Sequence, residues 1–317
     1  MRFYLAPMEG ITGYIYRRAQ HSCFPAFDKY FTPFLSPKQD KTLNAKERRD
    51  VLPENNPGMV LVPQILTNRA EDFLRTAEEL ADYGYREVNL NLGCPSPTVV
   101  TKGKGAGALA DTDRLKRLLD GIFGKTGLEI SIKTRLGMYE EEEWGELLEL
   151  YCQYPIKELI VHARVREDYY GGSPRLEAFS HALERVGEDC VYNGDIFTEK
   201  DMERLKQRFP GLTAVMLGRG ALADPGLLGR MKGEAGISIR QLQTFLSALS
   251  RDYRAIYSGE RDVLFRMKEL WAYLEWSFPG AEKQMKAIRK AQRLADYEEA
   301  VRRLLYEAGE ASVFSAT

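Results

Sequence analysis

The residues best placed to do chemistry lie in Val88-Asn89-Leu90-Asn91-Leu92-Gly93-Cys94-Pro95. Val88, Leu90 and Leu92 alternate with two asparagines, the period-two pattern of a strand. Gly93 and Pro95 stop that strand and force a turn. A lone thiol, Cys94, therefore follows a strand's carboxyl end. The ordinary cysteine pKa of about 8.5 leaves a thiol mostly protonated at neutral pH, so Cys94 could donate a proton.

Other polar residues follow apolar runs in the same way. They are Pro7 and Met8, Gln64, Asn91, Lys133 and Arg135, His162 and Arg164, Asn193-Gly194-Asp195, and Gly218-Arg219-Gly220. Lys133, in Ile130-Ser131-Ile132-Lys133-Thr134-Arg135, could pair with an anionic ligand, form a Schiff base, or be neutralised by a neighbouring carboxylate. Glycines after two late strands, one pair flanking Arg219, suit a phosphate cradle or simply tight turns. The glycines of Lys102-Gly103-Lys104-Gly105-Ala106-Gly107 are spaced GxGxG and lie well past the strand. That excludes a dinucleotide fingerprint and predicts a mobile loop beside Cys94.

These residues need elements to position them. Strands are predicted near 3–6, 27–32, 60–65, 88–92, 130–134, 159–163, 190–193 and 214–217. Helical patterns fill 13–21, 70–83, 112–123, 141–154, 176–186 and 199–209, with a short helix from Pro225. The second crossover, 38–57, is rich in proline, charge and asparagine and gives the weakest helical signal. Alternation of this kind predicts an α/β fold, a (β/α)8 TIM barrel, in which residues past each strand share one mouth. From about Ser238 the pattern is wholly helical, with Gly233–Gly236 as linker. The expected domains are a barrel over 1–235 and a small all-helical carboxyl-terminal domain over 236–317. Trp271, Tyr273, Trp276 and Phe278 read as bundle core, with RNA stacking as the alternative.

Bulk properties exclude little. The chain has 317 residues, 44% hydrophobic and 29% charged, with a net charge of −1. An RNA-binding surface must therefore come from local segregation of charge. One segment does segregate it. Lys283, Lys286, Lys290 and Arg293 are spaced 3, 4 and 3, with Arg289 beside them, while Met285, Ile288 and Ala291 fall on another helical face. Such a face is either a phosphate-binding surface or an ordinary solvated one. Cys23, Cys94, Cys152 and Cys190 are far apart, so neither a zinc site nor a disulfide framework is expected. The start of the chain lacks a secretory apolar core, and no run of about 18 apolar residues occurs. A cytoplasmic protein with no membrane association is the expectation, and a monomer the default.

Taken together, the chain resembles the tRNA-dihydrouridine synthase family. The matching pieces are Ala6-Pro7-Met8-Glu9-Gly10-Ile11-Thr12, Asn89-Leu90-Asn91-Leu92-Gly93-Cys94-Pro95, Lys133-Thr134-Arg135-Leu136-Gly137, His162-Ala163-Arg164, Asn193-Gly194-Asp195-Ile196, Gly218-Arg219-Gly220-Ala221-Leu222 and Arg266-Met267-Lys268-Glu269. The resemblance implies an FMN enzyme that reduces the C5=C6 bond of selected tRNA uridines, with NADPH as reductant. It casts Cys94 as general acid. It gives the flavin to Pro7, Met8, Gln64, Lys133, His162, Asn193, Gly194, Asp195, Gly218 and Arg219. It sets Asn91, Arg135 and Arg164 near the uracil, and with a tRNA substrate the cationic face of Lys283, Lys286, Arg289, Lys290 and Arg293 is the expected phosphate-binding surface. Gly13 stands where the family usually has aspartate. Pro174-Arg175-Leu176-Glu177 replaces the family's usual Asp-Trp continuation after Gly172. Two other functions suit the same residues: an FMN reductase of a free pyrimidine or small enone, and an RNA-binding or RNA-folding protein on an inactive barrel.

Overall fold

The structure, a computed structural model, describes residues 1–310. It packs as two units. The first comprises Met1–Pro7, Asp28–Asp195 and Arg204–Leu217, and the second Met8–Phe27, Ile196–Glu203 and the described residues from Gly218.

The first unit is a near-closed barrel of parallel strands. They are β1 (Arg2–Leu5), β2 (Lys29–Phe31), β3 (Leu61–Val62), β4 (Gln64–Ile65), β5 (Glu87–Leu92), β6 (Glu129–Arg135), β7 (Leu159–His162), β8 (Cys190–Asn193) and β9 (Ala214–Leu217). Their spatial order is β3-β2-β1-β9-β8-β7-β6-β5-β4. β3 and β4 are the single third strand predicted at 60–65, interrupted at Pro63, which has no N–H to give a ladder. The Pro63 carbonyl still accepts from Asn89 N at 2.8 Å. The ring is drawn together by Leu35, whose N donates to Gln64 O at 2.7 Å and whose O accepts from Leu66 N at 2.8 Å.

The helices of this unit form where amphipathic spacing meets a start signal. Asn44 caps Ala45–Val51 in a capping box with Glu47, which supplies the crossover helix that was least legible in sequence. Asp111 caps Thr112–Ile122, whose Leu115, Leu118, Leu119 and Ile122 are buried at 3–4 spacing. Leu176–Val186 stops at Gly187, where φ is 71°. Inside the barrel, Tyr4, Ala6, Phe31, Val62, Ile160, Val191, Ala214 and Met216 form one buried cluster.

The second unit is helical. Tyr16 and Phe24, on or just after the helix Tyr14–Cys23, set their rings 5.7 and 5.1 Å from Phe245 of the helix Ile239–Ile256. Arg266 donates to the Gly10 carbonyl at 3.0 Å. The predicted aromatic cluster divides. Trp271 and Phe278 are core, and Trp271 Nε1 donates to the Tyr297 hydroxyl at 2.7 Å, but Trp276 is 53% exposed. Trp276 lies after the helix Glu260–Leu274 ends, so helical spacing no longer turns it inward. Among the described residues, no helix is long and apolar enough to cross a membrane.

Candidate active site

Strand register gathers the predicted residues of the barrel. Gln64 pairs with Asn89, Asn91 with Lys133, Arg135 with His162, and His162 with Asn193. Paired residues in a parallel ladder share a face, and here the face is the barrel interior near the strands' carboxyl ends. The two asparagines of β5 thus point inward, while Val88, Leu90 and Leu92 are buried on the other face.

The inward amides form a ladder. Gln64 Nε2 donates to Asn89 Oδ1 at 2.8 Å, and Asn89 Nδ2 to Ser131 Oγ at 3.0 Å. Asn91 Nδ2 donates to Gln64 Oε1 at 2.6 Å. Asn91 Oδ1 then accepts from the backbone N of Gly93 at 3.1 Å and of Cys94 at 3.0 Å. Asn91 therefore shapes the turn that carries the thiol. Cys94 itself is half-buried, and its carbonyl accepts from Ala106 N at 3.1 Å.

That last bond changes the expectation for the glycine segment. It does lie beside Cys94, but it is wound into a 3-10 turn over Gly105–Ala110, with Ala106 and Leu109 buried. Apolar Ala106 and Leu109 gain more packed than open. Gly105 has φ of 55°, and a Cβ there would stand 2.9 Å from Cys94 Cβ, so only glycine allows the approach.

Lys133 lies partly buried on β6, and among the described residues it makes no hydrogen bond or ion pair. Burial pulls its pKa from the ordinary 10.5 down to about 7, and Arg135 lowers it further. The Cys94 sulfur is near enough to act on it electrostatically in the opposite sense. The salt-bridge alternative is therefore not what the barrel builds. A lysine whose charge burial opposes is held where no carboxylate among the described residues answers it.

The two arginines expected near a substrate bind loop carbonyls. Arg135 is buried and donates to Gly93 O at 2.9 Å, Val165 O at 2.9 Å and Tyr169 O at 2.7 Å. Burial lowers its pKa to about 10. Arg164, also buried, grips Asp195 through both oxygens at 3.1 and 2.5 Å. It also donates to Gly171 O and Gly172 O and lies 3.2 Å from His162 Nε2. Asp195, predicted against a cofactor, is thus taken up by Arg164. Sequence shows that an arginine reaches the mouth but not which carbonyls it meets there. Asn193 Nδ2 donates to Met216 O at 2.9 Å. Gly194 is required by packing, since a Cβ would lie 2.1 Å from the Tyr192 hydroxyl. Two residues that sequence reasoning passed over, Arg166 and Tyr169, also belong to this loop. Arg166 Nε donates to Pro95 O at 3.2 Å.

Pro7, half-buried, closes the first segment of the barrel unit. In the second unit, Met8 N donates to Thr12 Oγ1 at 2.8 Å and Met8 O accepts from Ile11 and Thr12 N. Gly218 precedes the short helix Arg219–Ala223. Gly220 is fixed by the chain itself, because a Cβ would fall 1.9 Å from Ile196 O. Arg219 lies 5.5 Å over the Phe197 ring, which packs 5.1 Å from Trp276.

The predicted cationic helix spans Glu282–Lys290, with Met285 and Ile288 buried and Lys283, Lys286, Arg289 and Lys290 exposed. Arg289 pairs with Glu275, and Arg293, past the helix end, with Asp296 at 2.6 Å. Lys283, Lys286 and Lys290 form no ion pair among the described residues. The face therefore keeps three uncompensated charges rather than five.

A parallel barrel whose strand ends hold an unanswered lysine beside a thiol is an enzyme architecture. A family model described as dihydrouridine synthase matches residues 4–309. The chain belongs to that family, which makes it a flavin-dependent oxidoreductase working from the barrel mouth. It is 29% identical over 231 residues to a probable tRNA-dihydrouridine synthase of Staphylococcus aureus, covering 70% of this chain and 69% of that one. It is 27% identical over 311 residues to a tRNA-dihydrouridine(16) synthase of Cupriavidus necator, covering 92% and 93%. The solved old yellow enzyme homologue from Zymomonas mobilis shares the fold at TM-score 0.53 and 10% identity, over 77% of this chain and 92% of that one. Groups of acidic, histidine and cysteine side chains able to hold a metal are absent among the described residues.

Proposed function

We propose that the protein reduces the C5=C6 bond of a uridine in tRNA, with FMN as cofactor and NADPH as reductant. The observation that carries this is Lys133, a partly buried cation with no carboxylate partner, in the same barrel mouth as Cys94. An uncompensated interior cation is costly unless a ligand answers it. The residues fit a flavin on that ground: Lys133 suits the electron-rich N1–C2 carbonyl edge, where it would stabilise negative charge on the reduced ring. Gln64, His162, Asn193 and Gly194 would line the same cofactor, with the backbone of Pro7 and Met8. Gly218 and Arg219 would meet its phosphate.

FMN, once bound and reduced, would supply the hydride that C6 needs. Cys94 then donates its proton to C5, so two electrons and two hydrogens add across the double bond. Asn91 holds the Cys94 turn through two backbone N–H groups. Arg135 and Arg164 act through the loops that they bind, and Asp195 through Arg164. The target base must leave its stack to reach the site. Lys283, Lys286 and Lys290 supply the phosphate contacts, with Arg289 and Arg293 weakened by their carboxylate partners. Charge reversal at Lys286 and Lys290 should weaken tRNA binding about tenfold or more and flatten its salt dependence, while flavin content stays unchanged. Filter binding across a salt series measures both.

The direct test is the visible spectrum of the purified protein, followed by anaerobic addition of unmodified tRNA to the NADPH-reduced form. A yellow protein reoxidised by tRNA supports the proposal. Reoxidation by free pyrimidine but not tRNA would make it a small-molecule reductase. A colourless protein that FMN cannot reconstitute would sink the flavin assignment.

A further inference from the structure

The loop after β7 holds a feature that proton donation and flavin binding leave unused. Tyr169 has φ of 51° and is the one non-glycine residue with positive φ among the described residues. A bulky side chain in the left-handed region is strained, and such strain persists only where neighbours over-determine it. Here they do. Arg135 donates to Tyr169 O at 2.7 Å, and Tyr169 N donates to Arg166 O at 3.0 Å. The Arg166 guanidinium lies 4.8 Å from the centre of the Tyr169 ring. The same Arg166 donates to Pro95 O, in the turn that carries Cys94. The ring nevertheless stays 39% exposed.

An aromatic ring is thus strained into place, backed by a cation, tied to the turn of the proton donor, and left open. Apolar burial does not explain it, because a ring placed for packing would not be left this exposed. We infer that Tyr169 is a positioning residue for RNA: its open ring is a stacking ledge for the nucleobase next to the reacting uridine. This rests on the tRNA reading above. When a uridine leaves its stack, its neighbour loses a partner, and an aromatic face beside the site replaces that partner. Stacking accepts any base, so the ledge sets affinity rather than sequence choice. A free pyrimidine brings no neighbour and would not use it.

The test is single-turnover reoxidation of the NADPH-reduced holoenzyme over a range of unmodified tRNA concentrations. Tyr169→Gly removes the ring and adopts the native φ without strain, so the turn survives. Tyr169→Leu keeps the bulk and the strain but has no π face, and Tyr169→Phe keeps the face. The ledge predicts that Gly and Leu raise the half-saturating tRNA concentration roughly ten- to hundredfold, the range of a lost base–aromatic stack. The limiting rate should stay near that of the parent, and Phe should match the parent in both. An unchanged half-saturation in Gly and Leu overturns the ledge while leaving the tRNA reading intact. So does a fall confined to the limiting rate, which would move Tyr169 into the chemistry. A parent enzyme that tRNA does not reoxidise overturns both.

Discussion

Two lysines enter the interior of the same barrel and meet opposite fates. Lys29, at the amino end of β2, donates to Glu87 Oε2 at 2.6 Å and to Glu158 Oε2 at 2.9 Å. Glu158 is 1% exposed and also accepts from the Tyr4 hydroxyl at 2.5 Å and from Arg2 at 3.1 Å. Burial raises the Glu87 pKa, and Lys29 opposes that rise. Lys133, at the carboxyl end of β6, has no carboxylate partner among the described residues. The amino-end floor is thus closed electrostatically within the chain, whereas the mouth is left open. A fold under selection for stability alone would close both, because a buried charge is tolerated when paired. The difference supports the proposal that places the chemistry at the mouth.

The sharpest way to break that contrast is to remove each amine in turn. Lys133→Met should lower the rate of flavin reoxidation by about 10²–10³-fold, the usual cost of losing one preorganised charge. It should leave the ligand-free protein at least as stable at neutral pH, since the lost group carried a desolvation cost and no partner. Lys29→Met should do the reverse. It strands Glu87, leaves Glu158 with only Tyr4 and the half-exposed Arg2, and costs about 3–5 kcal/mol of folding stability, as breaking a buried pair does. Its effect on the reduced flavin's reactivity should be small. Urea denaturation and stopped-flow reoxidation on both variants separate the two cases. Equal losses of stability would erase the distinction between floor and mouth.

How much of this contrast the sequence carried can be read residue by residue. The strands were legible because β-branched and apolar runs alternate with clear helical stretches. The run Cys190–Asn193 and the run Ala214–Leu217 needed no adjustment. The position of Cys94 after its strand was equally plain. Pairing was not legible. Lys29, Glu87 and Glu158 are far apart in sequence, and their meeting depends on three strands being in register across the barrel. The same limit hid the use of Arg135 and Arg164, whose partners are backbone carbonyls with no sequence signature. Tyr169 was missed because a left-handed tyrosine has no pattern of its own. The packing of Tyr16 and Phe24 on Phe245 joins segments more than two hundred residues apart and is visible only in three dimensions.

A pH series sharpens the contrast further. The folded-state pKa of Lys133 lies near 7, below its ordinary 10.5. Between those values the unfolded chain binds the proton that the folded barrel has released. Stability of the ligand-free protein should therefore rise with pH through that window. Lys133→Met should remove this part of the slope, and the difference between the two proteins isolates the group. An anionic ligand beside Lys133 would raise its pKa again, so FMN binding near pH 8 should take up protons. Calorimetry in buffers of different ionisation heat reads that uptake, and none would mean that Lys133 does not face the ligand's charge.

The smallest effect tests whether the floor is closed redundantly. Arg2 reaches Glu158 from a side chain that is 44% exposed, where water screens the pair. Glu158 keeps Lys29 and Tyr4 when Arg2 is removed. Arg2→Ala should therefore cost about 1 kcal/mol or less, the usual worth of an exposed pair. Tyr4→Phe should cost more, about 1.5–3 kcal/mol, because it removes a donor from a buried carboxylate. The ordering matters more than either value. If Arg2→Ala cost as much as Tyr4→Phe, Glu158 would depend on its exposed partner, and the floor would not be sealed from within. If the ordering holds, Lys29 and Tyr4 close the floor from inside, and Lys133 remains the barrel lysine without a carboxylate partner among the described residues.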